Sequence, residues 1–425
     1  MTTAPAYRPV GRIVLAESLT LLGNQITQFA LPLAAVLSLN ARAGDMALVF
    51  IALDVPTLFV GFLFARVIER AHPVRVLRWT LLARAAAMAM IPSLHLAGKL
   101  TIPTVIASAF LIGSTATVHT IAFRSAMARL ASKRELTRGN ARLATVTAIA
   151  EVCAQAVAGF AVARLGGPLT LGLDTLLILG AAAIIYSFSQ RQVSIRQASA
   201  LTETTDETSA TGSRAVAPRR FIATNLGLRL LLLVTALEGF GLGASGTVWT
   251  IHVTRGLQID PTSQGVIYAL GGVTAALSGM VAARVLEKVS PFAAVAMQQL
   301  VGAASLAAIA VAPPAGFAAL AVLVAQRLIV SPVSVIGNVA TVTYRQSVAP
   351  ATMFAGVESW FGALFVGGMM LGRGAAGVLG SVTTTRTVLL VAVLAGAAAG
   401  LLAMRGRAAT RRAQAASAVP QVSLK

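Results

Sequence analysis

The sequence predicts an all-α polytopic membrane protein with about twelve transmembrane helices in two pseudo-symmetric halves of six. Three observations predict this fold class. The 425 residues are 56% hydrophobic and only 11% charged, with a mean hydropathy of +0.80, too few polar residues to cover a soluble surface. Apolar stretches long enough to cross a bilayer recur along the chain. A charged segment, ARVIERAHP at 65–73, returns as ARVLEKVSP at 283–291, an offset of 283 − 65 = 218 residues.

The apolar stretches predict the helices in chain order. Backbone polar groups in lipid must be hydrogen-bonded within their own segment, so each stretch is expected to be helical. The first stretch is too long for a signal-peptide core and lacks a clear cleavage site, so we expect it to be retained. The predicted spans are 12–39, 46–68, 75–97, 101–123, 143–163, 168–189, 230–253, 263–283, 291–312, 317–341, 354–379 and 387–404.

A long polar segment divides these spans into two sets of six. Residues 1–189 are predicted to form the N-terminal half and 222–404 the C-terminal half. Between them, 190–221 is rich in Ser, Thr and Ala and predicts a flexible cytoplasmic linker. Residues 405–425 form a basic cytoplasmic tail. The offset of 218 also relates Gly159 to Gly377, which places both in the fifth span of their half.

The chain has a net charge of +20, and the distribution of its basic residues predicts how it is oriented in the membrane. Lys and Arg, Arg345 among them, are concentrated in the connections on one side, which is expected to be cytoplasmic. Both termini then lie in the cytoplasm, as suits a bacterial-type inner (plasma) membrane protein. Binding of nucleic acid would need a basic soluble domain with stacking aromatics, and the sequence contains none.

Chemical motifs exclude other classes of protein. The single cysteine, Cys153, permits no internal disulfide, and four scattered histidines give no metal-site spacing. The chain has no phosphate-binding P-loop, serine elbow or zinc-protease motif. We therefore expect a protein that is not an enzyme and needs no cofactor or metal.

The repeated loop resembles that of the major facilitator superfamily, Gly-x-x-x-Asp-Arg-x-Gly-Arg-Arg. Ala65, Glu69 and Arg70 match its first, fifth and sixth positions, and Ala283, Glu287 and Lys288 match in the second half. The stretches LLGNQITQFALPL, FRSAMARLASKRELTRGNARLATV, AGFAVARLGGPL and LGLRLLLLV are similar to the macrolide-efflux and enterobactin-exporter branch. The chain departs from the family's antiporter motif, because Ala154 and Gln155 stand where Gly-Pro is expected.

The resemblance implies a central cavity lined by the first, fourth, seventh and tenth spans. Polar residues on these spans are candidates for substrate contact: Asn24, Gln25, Gln28, His119, Arg327 and Asn338. Asn24 and Gln28 share a helix face, and interhelical hydrogen bonding is the alternative to cavity lining. For His119, a packed hydrogen-bonding role is the alternative to proton relay.

Carboxylates within spans are costly and mark candidate proton sites. We expect Glu238 to couple protons ahead of Glu17, because Glu238 lies in the middle third of a cavity span with Arg327 at similar depth. A static ion pair between these two is the alternative. For Glu17, which lies nearer the cytoplasm, simple solvation is the alternative to proton coupling. Asp174, near an outer helix end, is expected to be partly solvated. His95 and His252 look interfacial.

Two gates follow from the family arrangement, in which the second span faces the eleventh and the fifth faces the eighth. The cytoplasmic gate would comprise Arg66, Glu69, Arg70, Glu287, Lys288 and Glu358. The outer gate would pair Asp54 with Arg373. Basic connections that only set topology, and separately wetted charges at the outer mouth, are the respective alternatives.

The predicted function is secondary active transport by alternating access, with proton-coupled efflux of a small amphiphilic drug or natural product by a monomer in the lipid bilayer. One alternative is a transporter of the same fold that carries a lysolipid, siderophore or metabolite, either out of the cell or into it. Another is a transport-inactive membrane sensor or scaffold. The costly intramembrane charges argue against the latter.

Overall fold

The computed structural model describes residues 8–60, 71–187 and 216–417. Within these ranges the chain forms α-helices and two π-helical turns, with no strand. The π turns are π1 (Ala34–Ser38) and π2 (His252–Gly256). The α-helices are α1 (Arg8–Leu33), α2 (Ala43–Asp54), α3 (Pro73–Leu96), α4 (Ile102–Leu130), α5 (Lys133–Leu165), α6 (Gly167–Tyr186), α7 (Val216–Thr224), α8 (Leu226–Ile251), α9 (Pro261–Lys288), α10 (Pro291–Val311), α11 (Gly316–Val348), α12 (Ala351–Val382) and α13 (Thr385–Ser417).

Most of these helices suit a membrane. Across the described ranges, 11 helices are long and apolar enough to span one. The helix α3, with 24 residues, stands at the position of the predicted third span but carries Arg75, Arg78 and Arg84 and is not among the 11. The chain is thus a multi-pass α-helical membrane protein, which confirms the predicted fold class.

The repeat is visible in where the helices begin. Four helix starts in the first half recur after 218 residues: 261 − 43, 291 − 73, 351 − 133 and 385 − 167. The two π turns obey the same offset, 252 − 34 = 218. The pair α4 and α11 differs, with 316 − 102 = 214. The two halves therefore share their helix register almost throughout.

Local sequence sets several of these starts. At the start of α5, the Ser132 side chain caps the Glu135 amide, and the Glu135 carboxylate accepts from the Ser132 backbone at 3.0 Å. Helices α3 and α10 both begin with proline, whose missing N–H is tolerated in the first turn. Helix α5 ends at Gly166, whose φ of +81° favours glycine.

The helices fall into two compact units. The first comprises 1–209 together with 260–269. Its core is built mainly from α1, α3, α4 and α6, with residues from α5 and the start of α9. Tyr268 meets Phe29 edge-to-face at 5.6 Å between ring centroids. Large side chains at the centre of this core include Ile13, Leu31, Leu81, Met88, Ile91, Leu171 and Ile178.

The second unit comprises 210–259 and 270–425. Its closest helix pair is α8 with α12, and each carries two glycines spaced by four: Gly239 with Gly243, and Gly368 with Gly372. A Cβ at any of them would overlap a backbone carbonyl oxygen of the partner helix. Small residues at this spacing bring helix backbones together in lipid, where packing replaces the hydrophobic effect.

Several helices extend beyond the predicted spans. Glu287 and Lys288, expected in a connection, lie exposed in the last turn of α9, and Arg345 lies within α11. Residues 216–221 of the expected linker begin the helix α7. Hydropathy marks only the apolar centre of a helix, and good helix formers carry it on into polar sequence. The remainder of the linker, 190–215, lies outside the described residues.

Candidate functional site

A buried group of polar side chains lies at the centre of the first unit, which we call the N-terminal polar cluster. Its members come from four helices, α1, α3, α4 and α6. The members are Glu17, Asn24, Thr27, Thr80, Arg84, His119 and Asp174. On α1, the spacings 17, 24 and 27 place three of them along one helix face.

Glu17 and His119 form the first part of this cluster. The carboxylate Oε2 lies 2.9 Å from His119 Nε2, and the side chains are 14% and 3% exposed. Simple solvation of Glu17, the alternative to its proton-coupling role, is therefore wrong. Depth along α1 places Glu17 near the cytoplasm, but α3 and α4 cover its carboxylate.

Thr80 holds the other side of the His119 ring. Its hydroxyl lies 3.3 Å from Nδ1 and 3.0 Å from the carbonyl oxygen of Leu77. When Nδ1 is bare, the hydroxyl can donate to it. When Nδ1 carries a proton, the ring donates to Thr80 and the hydroxyl donates to Leu77. Both protonation states of His119 therefore keep their hydrogen bonds.

Arg84 and Asp174 form the second part of the cluster. Arg84 donates through Nη2 to Asn24 Oδ1, while Thr27 donates to Asp174 Oδ2 at 2.6 Å. Arg84 is 3% exposed and Asp174 is fully buried, so the expected partial solvation of Asp174 was wrong. The helix α1 approaches Asp174 at Gly23, where a Cβ would stand 2.7 Å from the carboxyl carbon.

The second unit holds a smaller group, the C-terminal polar cluster, made of Glu238, Gln298 and Asn338. Gln298 Nε2 donates to Glu238 Oε1 at 2.8 Å and lies 3.4 Å from Asn338 Oδ1. Arg327 places its guanidinium over the Trp249 ring, 5.3 Å from the centroid. The hydrogen bond that Glu238 accepts thus comes from a neutral amide.

Arg345 and Glu358 form an ion pair beside this cluster. Arg345 Nε lies 2.6 Å from Glu358 Oε1, and Nη2 donates to Oε2 at 3.1 Å. The guanidinium also lies over the Phe361 ring, 4.6 Å from the centroid. The prediction of Arg345 as a charge in a cytoplasmic connection was therefore wrong, because α12 supplies both a carboxylate and an aromatic face for it.

The two clusters use related positions of the repeat. Thr80 corresponds to Gln298 (298 − 80 = 218), and His119 corresponds to Gly337, the neighbour of Asn338. The acids do not correspond, because Glu17 matches Thr235 and Glu238 matches Thr20. Each half therefore places a carboxylate on its first helix, at a different level. Glu17 faces His119 on the fourth helix of its half, whereas Glu238 faces Gln298 on the third helix of its half.

Other predicted residues lie apart from these clusters. Gln25 is half-buried and Gln28 exposed on α1. Asp54, half-buried, ends α2, and Arg373 on α12 donates to the Met369 sulfur at 3.7 Å. His95 is exposed, whereas His252 is buried and hydrogen-bonds Thr385 and the Ile309 carbonyl oxygen. Arg66, Glu69 and Arg70 lie outside the described residues.

Three members of these clusters, Thr27, Thr80 and Gln298, were not predicted from the sequence. Each is a polar residue within an apolar helix, which is the signal that marked the other members. A groove of about 530 Å³ also runs along α1 and α5 in the first unit, lined by apolar residues with Ser18 and Arg142. No group of metal-ligating side chains occurs in the described ranges.

One comparison with known proteins identifies a family. The family model described as Major Facilitator Superfamily matches residues 13–344. The search of curated proteins found no match. Many solved structures are similar, and three transporters represent them.

The first is a bacterial homologue of the iron transporter ferroportin, in an inward-facing state, at 14% identity and a TM-score of 0.72 over 95% of this chain and 99% of that one. The nucleoside transporter NupG gives 13% and 0.73 over 94% and 98%. The peptide transporter PepTSo gives 11% and 0.71 over 97% and 99%. At these identities the similarity concerns the fold.

Proposed function

The chain belongs to the Major Facilitator Superfamily, whose model matches 13–344, and from that premise we propose that it is a proton-coupled secondary transporter. Membrane transport follows from the family, and the chain is no enzyme. The observation that carries proton coupling is the buried Glu17–His119 pair with Thr80 behind it.

This pair has the chemistry that a coupling site needs. A histidine titrates near neutral pH, and an adjacent carboxylate favours its charged form. Thr80 can reverse its hydrogen bond, so that a proton arrives or leaves without stranding a buried polar atom. A purely structural hydrogen bond would not need such an adaptable partner.

Glu238 is the second candidate for proton coupling. Its hydrogen bond from Gln298 comes from an amide, which does not ionise at physiological pH. We therefore place Glu17 with His119 first, which reverses the order expected from the sequence. Glu238, Asn338 and Arg327 remain candidates for contact with the substrate.

We propose a small amphiphilic organic molecule as the cargo and efflux from a bacterial-type inner membrane as the direction. The support is the resemblance of several stretches to the macrolide-efflux and enterobactin-exporter branch. Alternating access by two six-helix halves, 1–189 and 222–404, joined by the linker 190–221, is the proposed mechanism. A lysolipid, siderophore or metabolite, or uptake, is the alternative that the transport assay separates.

The two gates are also part of the proposal. Arg66, Glu69 and Arg70, with Glu287, Lys288 and Glu358, would latch the cytoplasmic side, and Asp54 with Arg373 would close the outer side. In this structure Glu358 pairs with Arg345, so the latch would require Glu358 to exchange partners. Arg70→Glu should lower transport while the protein remains inserted.

The experiment is transport of ethidium, a fluorescent amphiphilic probe, by everted membrane vesicles energised with a proton gradient. Wild-type vesicles should accumulate it, and a protonophore should abolish the accumulation. Glu17→Gln and His119→Asn should each reduce proton-driven accumulation at least about tenfold, because the pair can no longer exchange a proton. Glu151→Gln, a change in a half-buried carboxylate of α5, is the matched control and should transport normally.

The outcomes separate the candidates. Glu238→Gln should lower accumulation yet keep its pH dependence. Loss of proton dependence in Glu238→Gln, with normal transport by Glu17→Gln, would move coupling to the second unit. Ethidium accumulation that ignores the proton gradient in wild-type vesicles would contradict proton coupling altogether.

A further inference from the structure

The N-terminal polar cluster contains one fixed positive charge for two carboxylates. Arg84 is the guanidinium, and Glu17 and Asp174 are the acids. Its charge acts on both acids, while His119 acts on Glu17 alone. With neutral His119 and both acids ionised, the cluster carries a net charge of −1 (1 − 2 = −1). Burying an uncompensated charge is costly, so one added proton makes the cluster neutral.

We propose that Asp174 and Arg84 form a charge-balancing pair that sets the pH at which the Glu17–His119 site takes up its proton. This inference rests on the proposed proton site and adds two positioning residues to it. Neither touches the exchanging proton, and both act through charge. Asp174 strengthens proton binding and Arg84 weakens it.

The geometry supports a coupled pair. Arg84 and Thr80 lie four residues apart on α3, so the helix that supports His119 also presents Arg84. Arg84 reaches α1 through Asn24, and Asp174 reaches it through Thr27, one turn further along the same helix. Asp174 Oδ1 and Arg84 Nε make no hydrogen bond in the described part of the chain, although both are buried.

Helix α5 is the remaining neighbour of α1 that carries charged residues. The helix α5 also packs against α1 and brings Arg142 to the groove beside Val14 and Ser18, and it carries Glu151. The charged groups that act on Glu17 include His119 and Arg84, and Arg84 also acts on Asp174. The balance therefore lies among Glu17, His119, Arg84 and Asp174.

The signs of the expected effects are opposite. Removing the negative charge with Asp174→Asn frees Arg84 to act on Glu17, so protonation becomes harder and the midpoint pH falls. Removing the positive charge with Arg84→Gln makes protonation easier and the midpoint rises. The double variant should return toward the wild-type midpoint. Structural damage alone would not move the midpoint in opposite directions in Asp174→Asn and Arg84→Gln. It would also not restore the midpoint in the double variant.

The test is a pH titration of the purified full chain in nanodiscs, followed by NMR of labelled histidine. The chain has four histidines, and the spectrum of His119→Asn identifies the His119 signal. This readout needs no substrate. Asp174→Asn should lower the His119 midpoint by about half to one pH unit, and Arg84→Gln should raise it similarly. Arg84→Lys keeps the charge and should stay near wild type, as should Glu151→Gln.

Each outcome decides something. A midpoint that does not move, or rises, in Asp174→Asn overturns the charge-balancing pair. If Arg84→Gln fails to fold, Asp174→Asn and Arg84→Lys still decide the sign. Glu17→Gln should lower the midpoint most, because it removes the nearest carboxylate. An unchanged midpoint in that variant overturns the Glu17–His119 site itself, whatever Asp174 does.

Discussion

Arg345 and Glu358 show how much a buried charge depends on its partner. The guanidinium side chain is 10% exposed and the carboxylate side chain 35% exposed. Solvent can therefore compensate Glu358 if the pair is broken, but the less exposed Arg345 would keep the Phe361 ring and the attraction of Glu238 without a paired carboxylate. The two residues contribute unequally when either is removed.

We predict that Glu358→Gln destabilises the protein more than Arg345→Met does. The first change leaves a buried guanidinium without its carboxylate, at a cost of about 1–3 kcal/mol after allowance for solvent around Glu358. The second leaves a carboxylate that water reaches. Thermal unfolding in detergent measures both, with the double variant as the reference. Equal losses from the two single changes would contradict this prediction.

At this scale the sequence predicted which residues mattered better than it predicted their partners. Depth counting and the cost of intramembrane charge singled out Glu17, Glu238 and His119 as chemically important. The sequence did not predict that Glu17 pairs with His119. It suggested Arg327 as the partner of Glu238, whereas in the structure Gln298 is that partner. A partner across helices depends on helix rotation and on which helices pack together, and neither is encoded in spacing along one chain.

Individual helices show the repeat in their caps as well as in their starts. The first residue before α9, Asp260, accepts hydrogen bonds from the Ser263 amide at 3.0 Å and hydroxyl at 2.6 Å. At the matching start of α2, the acid stands three residues later, and Asp45 accepts from the Arg42 amide at 2.8 Å. The offset of 218 relates Arg42 to Asp260 and Asp45 to Ser263. Both helix starts therefore use the same two capping positions. The carboxylate lies just before the helix at α9 and three residues later, in the first turn, at α2.

We predict that Asp260→Ala costs about 1 kcal/mol of stability by removing this cap. Burial acts to raise the pKa of the Asp260 carboxyl, but hydrogen bonds from Ser263 and Thr262 outweigh it and lower the pKa. The cap therefore contributes stability above the ordinary pKa of about 3.8, and that contribution is lost as pH falls through the lowered value. Unfolding curves of wild type and variant should differ at pH 7 and converge in strong acid. A constant difference would assign the effect to packing.

The packing of α8 against α12 gives a second prediction for an element. Gly368→Val should destabilise the protein by several degrees of melting temperature, because its Cβ would overlap the Ala236 carbonyl oxygen. A Cβ at the adjacent Gly367 would meet nothing within 4 Å, so Gly367→Val is the matched control. Similar melting temperatures for the two variants would mean that α12 tolerates displacement from α8.

The sequence predicted the apolar centres of the helices well and their basic ends poorly. Proline at 73 and 291 and the Ser132–Glu135 pair mark helix starts by known chemistry. The extension of α11 to Val348 could not be predicted, because Arg345 resembles a positive-inside charge until its partner on α12 is known. Hydropathy measures the membrane environment, whereas helix ends depend on caps and tertiary contacts.

For the whole molecule, the distribution of basic residues predicts that the linker 190–221 and both termini are cytoplasmic. In a Cys153→Ser background, Lys99→Cys should react with a membrane-impermeant maleimide on intact cells. Ser209→Cys should react only after the cells are permeabilised. Labelling of Ser209→Cys on intact cells would invert the predicted topology.

The shared register of the π turns has a historical consequence. Turns at 34–38 and 252–256 occupy the same place in both halves, as do four helix starts. A gene duplication explains this agreement if the ancestral half already contained the π turn. The acids differ between the halves, because the repeat relates Glu17 to Thr235 and Thr20 to Glu238. The scaffold is thus older than the duplication, whereas the division of acidic chemistry between its two descendants arose afterwards.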